Sequence, residues 1–266
     1  MRIRYGFSQI AILWIAVLST PAPGQQSNNL HRLPDGKPNL SGIWQAMNTA
    51  NWDLQEHPSR QGLVLSLGAV GAEPGGPGVV DGGEIPYLSA AKAVRKANFE
   101  NRLAADPEIK CYLPGVPRAT YMPYPFEIFH STKAIFFAYE FAGAVRNIFL
   151  KDPGPAPADS WMGQSVGHWE GDTLVIDVTG LDERTWFDRA GDFHSDALHV
   201  VERYTPMGPD ILRYEATIED PKVFSRPWKI GMPLYRHVEK NARLAEFKCV
   251  EFVEDLMYGQ FSKTAK

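Results

Sequence analysis

The chain has 266 residues, of which 44% are hydrophobic, and its formal charge at pH 7 is −4. If the first 24 residues are removed, the 27 basic residues lose two arginines while the 31 acidic residues remain, so the charge becomes −6. Nucleic acids and anionic membranes attract clustered Lys and Arg, so we expect neither as a partner. The remaining length suits one large β domain or two small ones, with a full-sized core.

Residues 1–24 have the three parts of a secretory signal peptide. Arg2 and Arg4 supply the positive start, 10–18 is an unbroken apolar run, and Gly24 ends a short segment of small residues. The apolar run is about half as long as a membrane-spanning helix. We therefore predict cleavage after Gly24 and export to the periplasm or the exterior, with an uncleaved membrane anchor as the alternative.

Cys111 and Cys249 are the two cysteines of the chain. In an oxidising compartment an even pair is most simply a disulfide. It would close a loop of 138 residues, for which chain entropy predicts a stabilisation of about 5 kcal/mol. A pair of buried free thiols is the alternative.

Residues 25–39 are polar and predict a flexible lead-in to a single β-rich domain over 40–266. A first strand is predicted over 40–45. The stretch 48–86 is irregular, and its part 73–83 is almost entirely Gly, Pro and Val. A loop of this length in a compact domain is a lid, a binding loop or disordered.

One helix is predicted, over 88–105. Ser89 is placed to cap its start, and Pro107 ends it. The helical spacing predicts an apolar stripe on one face of this helix. The stripe contains Ala90, Val94, Ala97 and Leu103.

Short aromatic and β-branched runs separated by turns predict the remaining strands. These runs are 126–130, 134–141, 145–150, 166–169, 173–178, 211–219, 228–234 and 244–252. So many consecutive short strands favour a mainly β fold. We predict an antiparallel barrel or strongly curved sheet, calycin-like, with the helix and the long loop packed against it.

The segment 195–204 fits two structures. As a strand, it places His199 and Glu202 on opposite faces; as a helix, it places them side by side. We favour the strand, because the Val pair at 200–201 is β-branched and a clear strand follows.

The segment 186–203 holds the densest group of proton-transfer residues. A His beside a carboxylate is suited to acid–base chemistry, since its pKa lies near neutrality. We assign His199 as the candidate catalytic base, Asp196 or Asp188 as the residue that orients it, and His194 as a second acid–base group. The alternative is a polar loop and a solvated strand face.

Most of the many aromatic residues are expected to pack in the core, and some of them are candidates for a ligand site. A barrel of about eight strands can hold one small ligand, and aromatic walls suit an apolar or aromatic molecule. Trp186, Trp161, Tyr124 and Arg203 are the candidate substrate-binding residues.

Metal and cofactor motifs are lacking, so we predict neither a metal nor a cofactor. His199 and Glu202 could ligate a metal from a helix but would diverge on a strand. The segment 163–167 matches G-x-S-x-G, but it leads into a hairpin rather than the helix that a hydrolase requires. No glycine-rich phosphate loop opens a helix.

Two groups of motifs resemble known families. The segments 33–44 (LPDGKPNLSGIW) and 167–177 (GHWEGDTLVID), with DRAG at 188–191 and HSDALHVVER at 194–203, resemble a family of exported bacterial proteins labelled hypothetical. That resemblance covers nearly all of the mature chain and implies no catalytic residues. Gly42-Ile43-Trp44 is similar to the Gly-x-Trp that opens the first strand of lipocalins and their calycin relatives, which implies a barrel with an apolar ligand cavity.

The sequence therefore supports two hypotheses. The first is an exported, cofactor-independent enzyme that uses Asp/His acid–base chemistry on a small apolar or aromatic molecule, as a lyase, isomerase or hydrolase. The second is a calycin-like binding or carrier protein for such a molecule.

Overall fold

The computed structural model describes residues 30–62, 69, 71–258 and 260. The predicted signal peptide at 1–24 lies outside the described residues. Within those residues, no helix has both the length and the apolar character to cross a membrane.

Nine strands close into a barrel, which confirms the predicted mainly β fold. The strands are β1 Gly42–Ala46, β2 Phe126–His130, β3 Ile135–Tyr139, β4 Val145–Phe149, β5 Gln164–Glu170, β6 Thr173–Thr179, β7 His199–Pro206, β8 Ile211–Glu219 and β9 Trp228–Arg236. Each strand pairs with the next, and β9 pairs with β1. The pairs are antiparallel except β4–β5, which is parallel because the connection 150–163 carries the chain back before β5 begins.

The core lies inside the barrel, and strand alternation determines which side chains enter it. On β8, the four side chains Leu212, Tyr214, Ala216 and Ile218 are buried. They alternate with residues that face outward, as the sequence pattern predicted.

The segment 199–206 is a strand, as we favoured. It pairs with β6 on one side and β8 on the other, and this satisfies its backbone groups. Glu202 faces the interior while His199 faces outward, so the two side chains diverge.

The predicted helix over 88–105 forms in two parts, α1 Ser89–Glu100 and α2 Arg102–Ala105. Leu88 occupies the N-cap position, so the assignment of Ser89 as the cap was wrong. The apolar stripe was also wrong: Val94 and Leu103 are 45% and 47% exposed, and Ala91 is the buried residue of α1.

The reason is that α1 is attached through polar side chains. Arg95 Nε donates to Asp192 Oδ1 at 3.2 Å, and Asn98 Nδ2 donates to the Gly191 carbonyl at 3.2 Å. Two further short helices are α3 Arg118–Tyr121 and α4 Val253–Tyr258, and Pro107–Lys110 and Phe141–Gly143 form 3₁₀ turns.

Residues 237–252 form a strap along the outside of the barrel. The predicted strand over 244–252 was wrong, because β9 pairs with β1 and the closed barrel offers no free edge. Instead, the Ala245 amide donates to Glu140 Oε2 at 2.7 Å. The predicted disulfide is confirmed, because Cys111 and Cys249 are joined.

The long connections gather at one end of the barrel, here called the upper end. The connections are 47–125, 140–144, 180–198 and 220–227. The tight turns 131–134, 171–172 and 207–210 mark the lower end. Isolated bridges, His57 with Gly76 and Arg60 with Glu73, fasten the described parts of the 48–86 loop to one another.

Candidate functional site

A pocket of about 520 Å³ lies at the upper end, between the strap, α2 and the 3₁₀ turn Pro107–Lys110. We call it the strap pocket. Its wall is mainly apolar and includes Leu103, Ala104, Ile109, Tyr124, Phe141 and Phe247. Pockets of roughly 300–1,000 Å³ with such walls are typical of small-molecule sites.

Three aromatic rings form one side of the pocket. The centroid of the Phe247 ring lies 4.9 Å from that of Tyr124 and 5.0 Å from that of Phe141. The Tyr124 and Phe141 centroids are 5.6 Å apart. Tyr124 precedes β2 and Phe141 follows β3, so the barrel holds two of the rings and the strap supplies the third.

The floor of the pocket contains an ion pair. Glu108 accepts hydrogen bonds from Nε and Nη2 of Arg189, both at 2.8 Å, and from Nη2 of Arg118 at 2.6 Å. Arg118 also donates to both oxygens of Asp106. Two carboxylates thus meet two guanidiniums, and the floor has no net charge.

This arrangement keeps Glu108 ionised. Burial alone would raise the pKa of Glu108, but Arg189 and Arg118 outweigh burial and lower the pKa to about 2. Asn51 Nδ2 donates to the same carboxylate at 3.2 Å. A carboxylate with so many donors is a weak base, so the floor is suited to positioning a ligand rather than to accepting a proton.

The strap is attached to the 3₁₀ turn Pro107–Lys110 and to the residue after it. Cys249 lines the pocket, and its disulfide partner Cys111 directly follows the 3₁₀ turn. The Phe252 amide donates to the Ile109 carbonyl at 2.8 Å. The outer wall therefore depends on a covalent bond.

The four predicted catalytic residues do not form one site. His199 Nε2 lies 3.3 Å from Asp177 Oδ1, and His199 Nδ1 lies 3.9 Å from Glu219 Oε2. Among the described residues, neither Asp196 nor Asp188 is a hydrogen-bond partner of His199. Asp196 is exposed and pairs with Lys222 at 2.5 Å.

His194 is buried and fully hydrogen-bonded. Its Nδ1 lies 2.8 Å from the Ser195 carbonyl, and its Nε2 lies 2.6 Å from Thr185 Oγ1. A carbonyl can only accept, so Nδ1 carries the proton and Nε2 accepts from the hydroxyl. Burial lowers the pKa of His194, which keeps the ring neutral.

Of the four predicted substrate-binding residues, Tyr124 lines the strap pocket. Trp161 packs against Tyr112, with ring centroids 4.9 Å apart. Trp186 is mostly buried and bridges to Phe193. Arg203 lies outside the barrel and pairs with Glu170 at 2.8 Å.

The interior of the barrel is polar at its centre. Arg146 pairs with Glu202, which also accepts from the hydroxyls of Tyr214 at 2.8 Å and Tyr204 at 3.1 Å. Ser165, the serine of the G-x-S-x-G segment, is buried on β5 and accepts from Arg146 Nε at 2.7 Å. This serine lies on a strand and hydrogen-bonds to the arginine of a buried ion pair, which differs from the strand–turn–helix of a hydrolase.

Asp53, Asp188 and Asp192 form a group that the sequence did not predict. Their ligand atoms lie within 4.8 Å of one another, and all three are buried. We call them the carboxylate cluster. Asp53 lies far from the other two in the chain, in the 48–86 loop, so no local spacing connects them. They are the acidic residues of the described chain that could hold a metal, although Arg60 and Arg95 lie beside them.

A second pocket, of about 420 Å³, lies at the lower end beside Trp44 and Arg236. It is more polar than the strap pocket, with Asn39, Ser41 and Asp210 in its wall. The carbonyls of Ser41 and Pro209 already accept from Arg236, so its main cation is occupied.

No protein-family model matches the chain, and comparison with curated proteins and with solved structures gives no match. The geometry of the strap pocket is therefore the basis for assigning a function.

Proposed function

We propose that this protein binds a small, uncharged and largely apolar molecule in the strap pocket, and that it does so after export. The main support for this proposal is a pocket of about 520 Å³ with three aromatic rings on one side. Such rings supply large apolar contact areas at low entropic cost. Aromatic or alicyclic molecules fit this chemistry.

The charge of the floor limits the ligand class. Glu108 and Asp106 are matched by Arg118 and Arg189, so a charged ligand would lose hydration without gaining a free counter-ion. An uncharged molecule has no such cost. A single hydroxyl or carbonyl on the ligand could still meet the polar edge of the floor.

Binding is better supported than acid–base catalysis. The predicted base His199 lies on the outer face of the barrel, and His194 is buried among its own partners. The acid in the pocket, Glu108, is held ionised. A closed barrel is also compatible with the calycin-like binding protein that Gly42-Ile43-Trp44 implies.

The test is a titration with N-phenyl-1-naphthylamine, an uncharged fluorescent probe. The wild-type chain should bind it saturably. Ala104 is exposed on α2 and lines the pocket, so Ala104→Trp should fill the space and weaken binding by about tenfold or more, or at least about 1.4 kcal/mol.

The matched control is Ala93→Trp. Ala93 is exposed on α1 and does not line the strap pocket, so this variant should bind the probe as the wild type does. Absence of saturable binding, or equal binding by Ala104→Trp, would overturn the proposal.

A further inference from the structure

The carboxylate cluster has one oxygen without a donor. Asp188 accepts from the backbone amides of Leu54 at 2.9 Å and Asp192 at 3.1 Å. Asp192 Oδ1 accepts from the Tyr87 hydroxyl at 2.7 Å and from Arg95 Nε at 3.2 Å. Asp192 Oδ2 is buried, and no donor from the described residues reaches it.

The cluster also has one positive charge fewer than it has carboxylates. Three carboxylates face two guanidiniums: Arg60 lies 2.9 Å from Asp53, and Arg95 lies 3.7 Å from Asp53 and 3.2 Å from Asp192. One negative charge is therefore unbalanced among three buried carboxylates. An unpaired buried charge is strongly destabilising, so the cluster requires one more cation or proton.

The spacing of the carboxylates favours a proton. Oxygens of Asp53, Asp188 and Asp192 lie within 4.8 Å of one another, and like charges this close favour the protonation of one carboxyl group. The two guanidiniums beside them would repel a divalent metal.

We propose that Asp188 and Asp192 share a single proton at neutral pH, and that this proton is a pH-sensitive latch between the 186–193 segment and the 48–62 loop. The latch works because its members come from separate parts of the chain. Leu54 and Asp53 belong to the loop, and Arg95 adds α1 to the same cluster. Loss of the proton leaves three charges against two and drives these segments apart.

Charged and titratable groups of the loop, of α1 and the residue before it, and of α3 face the pair. They are Asp53 and Arg60 of the loop, Tyr87 before α1, Arg95 on α1 and Tyr121 on α3. Burial, and then the neighbouring Asp192 and Asp53 charges, raise the pKa of Asp188 well above its ordinary value. The folded chain therefore binds this proton more tightly than the unfolded chain, and the stability it contributes is lost as the pH rises through the folded-state pKa.

Asp192→Asn tests the latch directly. The amide nitrogen takes the place of Oδ2 and donates to Asp188. The amide oxygen still accepts the hydrogen bonds from Tyr87 and Arg95. Infrared spectra distinguish the C=O stretch of a neutral carboxyl from that of a carboxylate. The wild type should show a neutral-carboxyl band at neutral pH that is lost at alkaline pH, and Asp192→Asn should lack that band throughout.

Urea denaturation gives a second readout. The midpoint should fall at alkaline pH in the wild type and change less in Asp192→Asn. The matched control is Glu100→Gln, which removes an exposed carboxylate from α1 and should keep the wild-type band and pH profile.

Three outcomes would overturn the proposal. The first is a wild-type spectrum without a neutral-carboxyl band at neutral pH. This outcome is decisive even if Asp192→Asn does not fold, because it needs only the wild-type protein. The second is an Asp192→Asn spectrum equal to that of the wild type. The third is a stoichiometric divalent ion in the native mass spectrum whose removal by a chelator lowers the denaturation midpoint.

Discussion

The guanidinium of Arg236 lies over the indole ring of Trp44, with its carbon 4.1 Å from the ring centroid. The two residues are opposite each other where β9 pairs with β1 and closes the barrel. Arg236 Nε also donates to the Pro209 carbonyl at 2.9 Å, and Nη1 donates to the Ser41 carbonyl. This contact joins the first strand, the last strand and the β7–β8 turn at the lower end.

Gly42 makes room for this guanidinium. A Cβ at this position would lie 2.0 Å from Arg236 Nη1, and the backbone φ is +136°. We expect Gly42→Ala to lower the free energy of unfolding by about 1–3 kcal/mol, the usual cost of overpacking. Chemical denaturation measures it.

The control for Gly42→Ala is Gly36→Ala. Gly36 also has a positive φ, of +82°, but a Cβ there meets nothing within 4 Å. The control should cost no more than about 1 kcal/mol. Equal losses for the two variants would show that the Arg236 contact does not restrict residue 42.

Removing one partner of the buried pair Arg146–Glu202 should lower the free energy of unfolding. Glu202→Leu leaves an unpaired guanidinium in the barrel and removes the acceptor of two tyrosine hydroxyls, so we expect a loss of about 3–5 kcal/mol. The double variant Arg146→Met/Glu202→Leu should regain much of that loss. If the double variant is as unstable as Glu202→Leu, the ion pair is not the cause.

Removing the disulfide should affect stability and binding together. Cys111→Ser/Cys249→Ser releases a loop of 138 residues, and we expect a loss of up to about 5 kcal/mol. The probe should no longer bind, because Phe247 and Cys249 leave the pocket wall. A dithiol reductant should reproduce both effects in the wild type and none in the double variant; retained binding after reduction would contradict the role of the strap.

His194 should make the fold sensitive to acid. Its pKa is lowered from 6.5, chiefly by burial, so the unfolded chain takes up a proton that the folded chain does not. The free energy of unfolding should therefore fall as the pH drops below 6.5. His194→Gln should weaken this dependence in denaturation titrations, whereas His168→Gln, at an exposed position, should not.

His199→Ala separates the two functional hypotheses. His199 lies on the outer face of the barrel and its side chain is 38% exposed, so we expect a change in stability within about 0.5 kcal/mol and unchanged probe binding. A screen for turnover of uncharged aromatic compounds completes the test. Loss of a measurable activity in a stable His199→Ala variant would favour the enzyme.

Alternation along the strands made most of the fold predictable. β2 and β8 have the predicted bounds, because their apolar side chains repeat with a period of two. The prediction of an apolar stripe on the helix was wrong, because the hydrogen bonds of Arg95 and Asn98 attach α1 to the 191–192 segment and no apolar face does so. The prediction of a strand over 244–252 was wrong, because the local sequence pattern does not show whether a sheet edge is free to pair with it.

The site was less predictable, since its parts are distant in sequence. The strap pocket takes residues from 103–109, 124–141 and 247–253 together with Arg189, and of these only Tyr124 was predicted to bind a ligand. The residues of 186–203 are close in sequence, but strand alternation and burial separate them. His199 faces outward on β7, whereas Asp188 is buried among loops.

A crystal of the wild-type chain soaked with a brominated naphthalene would show whether the strap pocket binds an apolar ligand, because bromine can be located by its anomalous scattering. We expect a bromine peak in the strap pocket, beside the rings of Tyr124, Phe141 and Phe247. A peak in the lower pocket near Trp44, or no peak in a crystal that diffracts well, would contradict it.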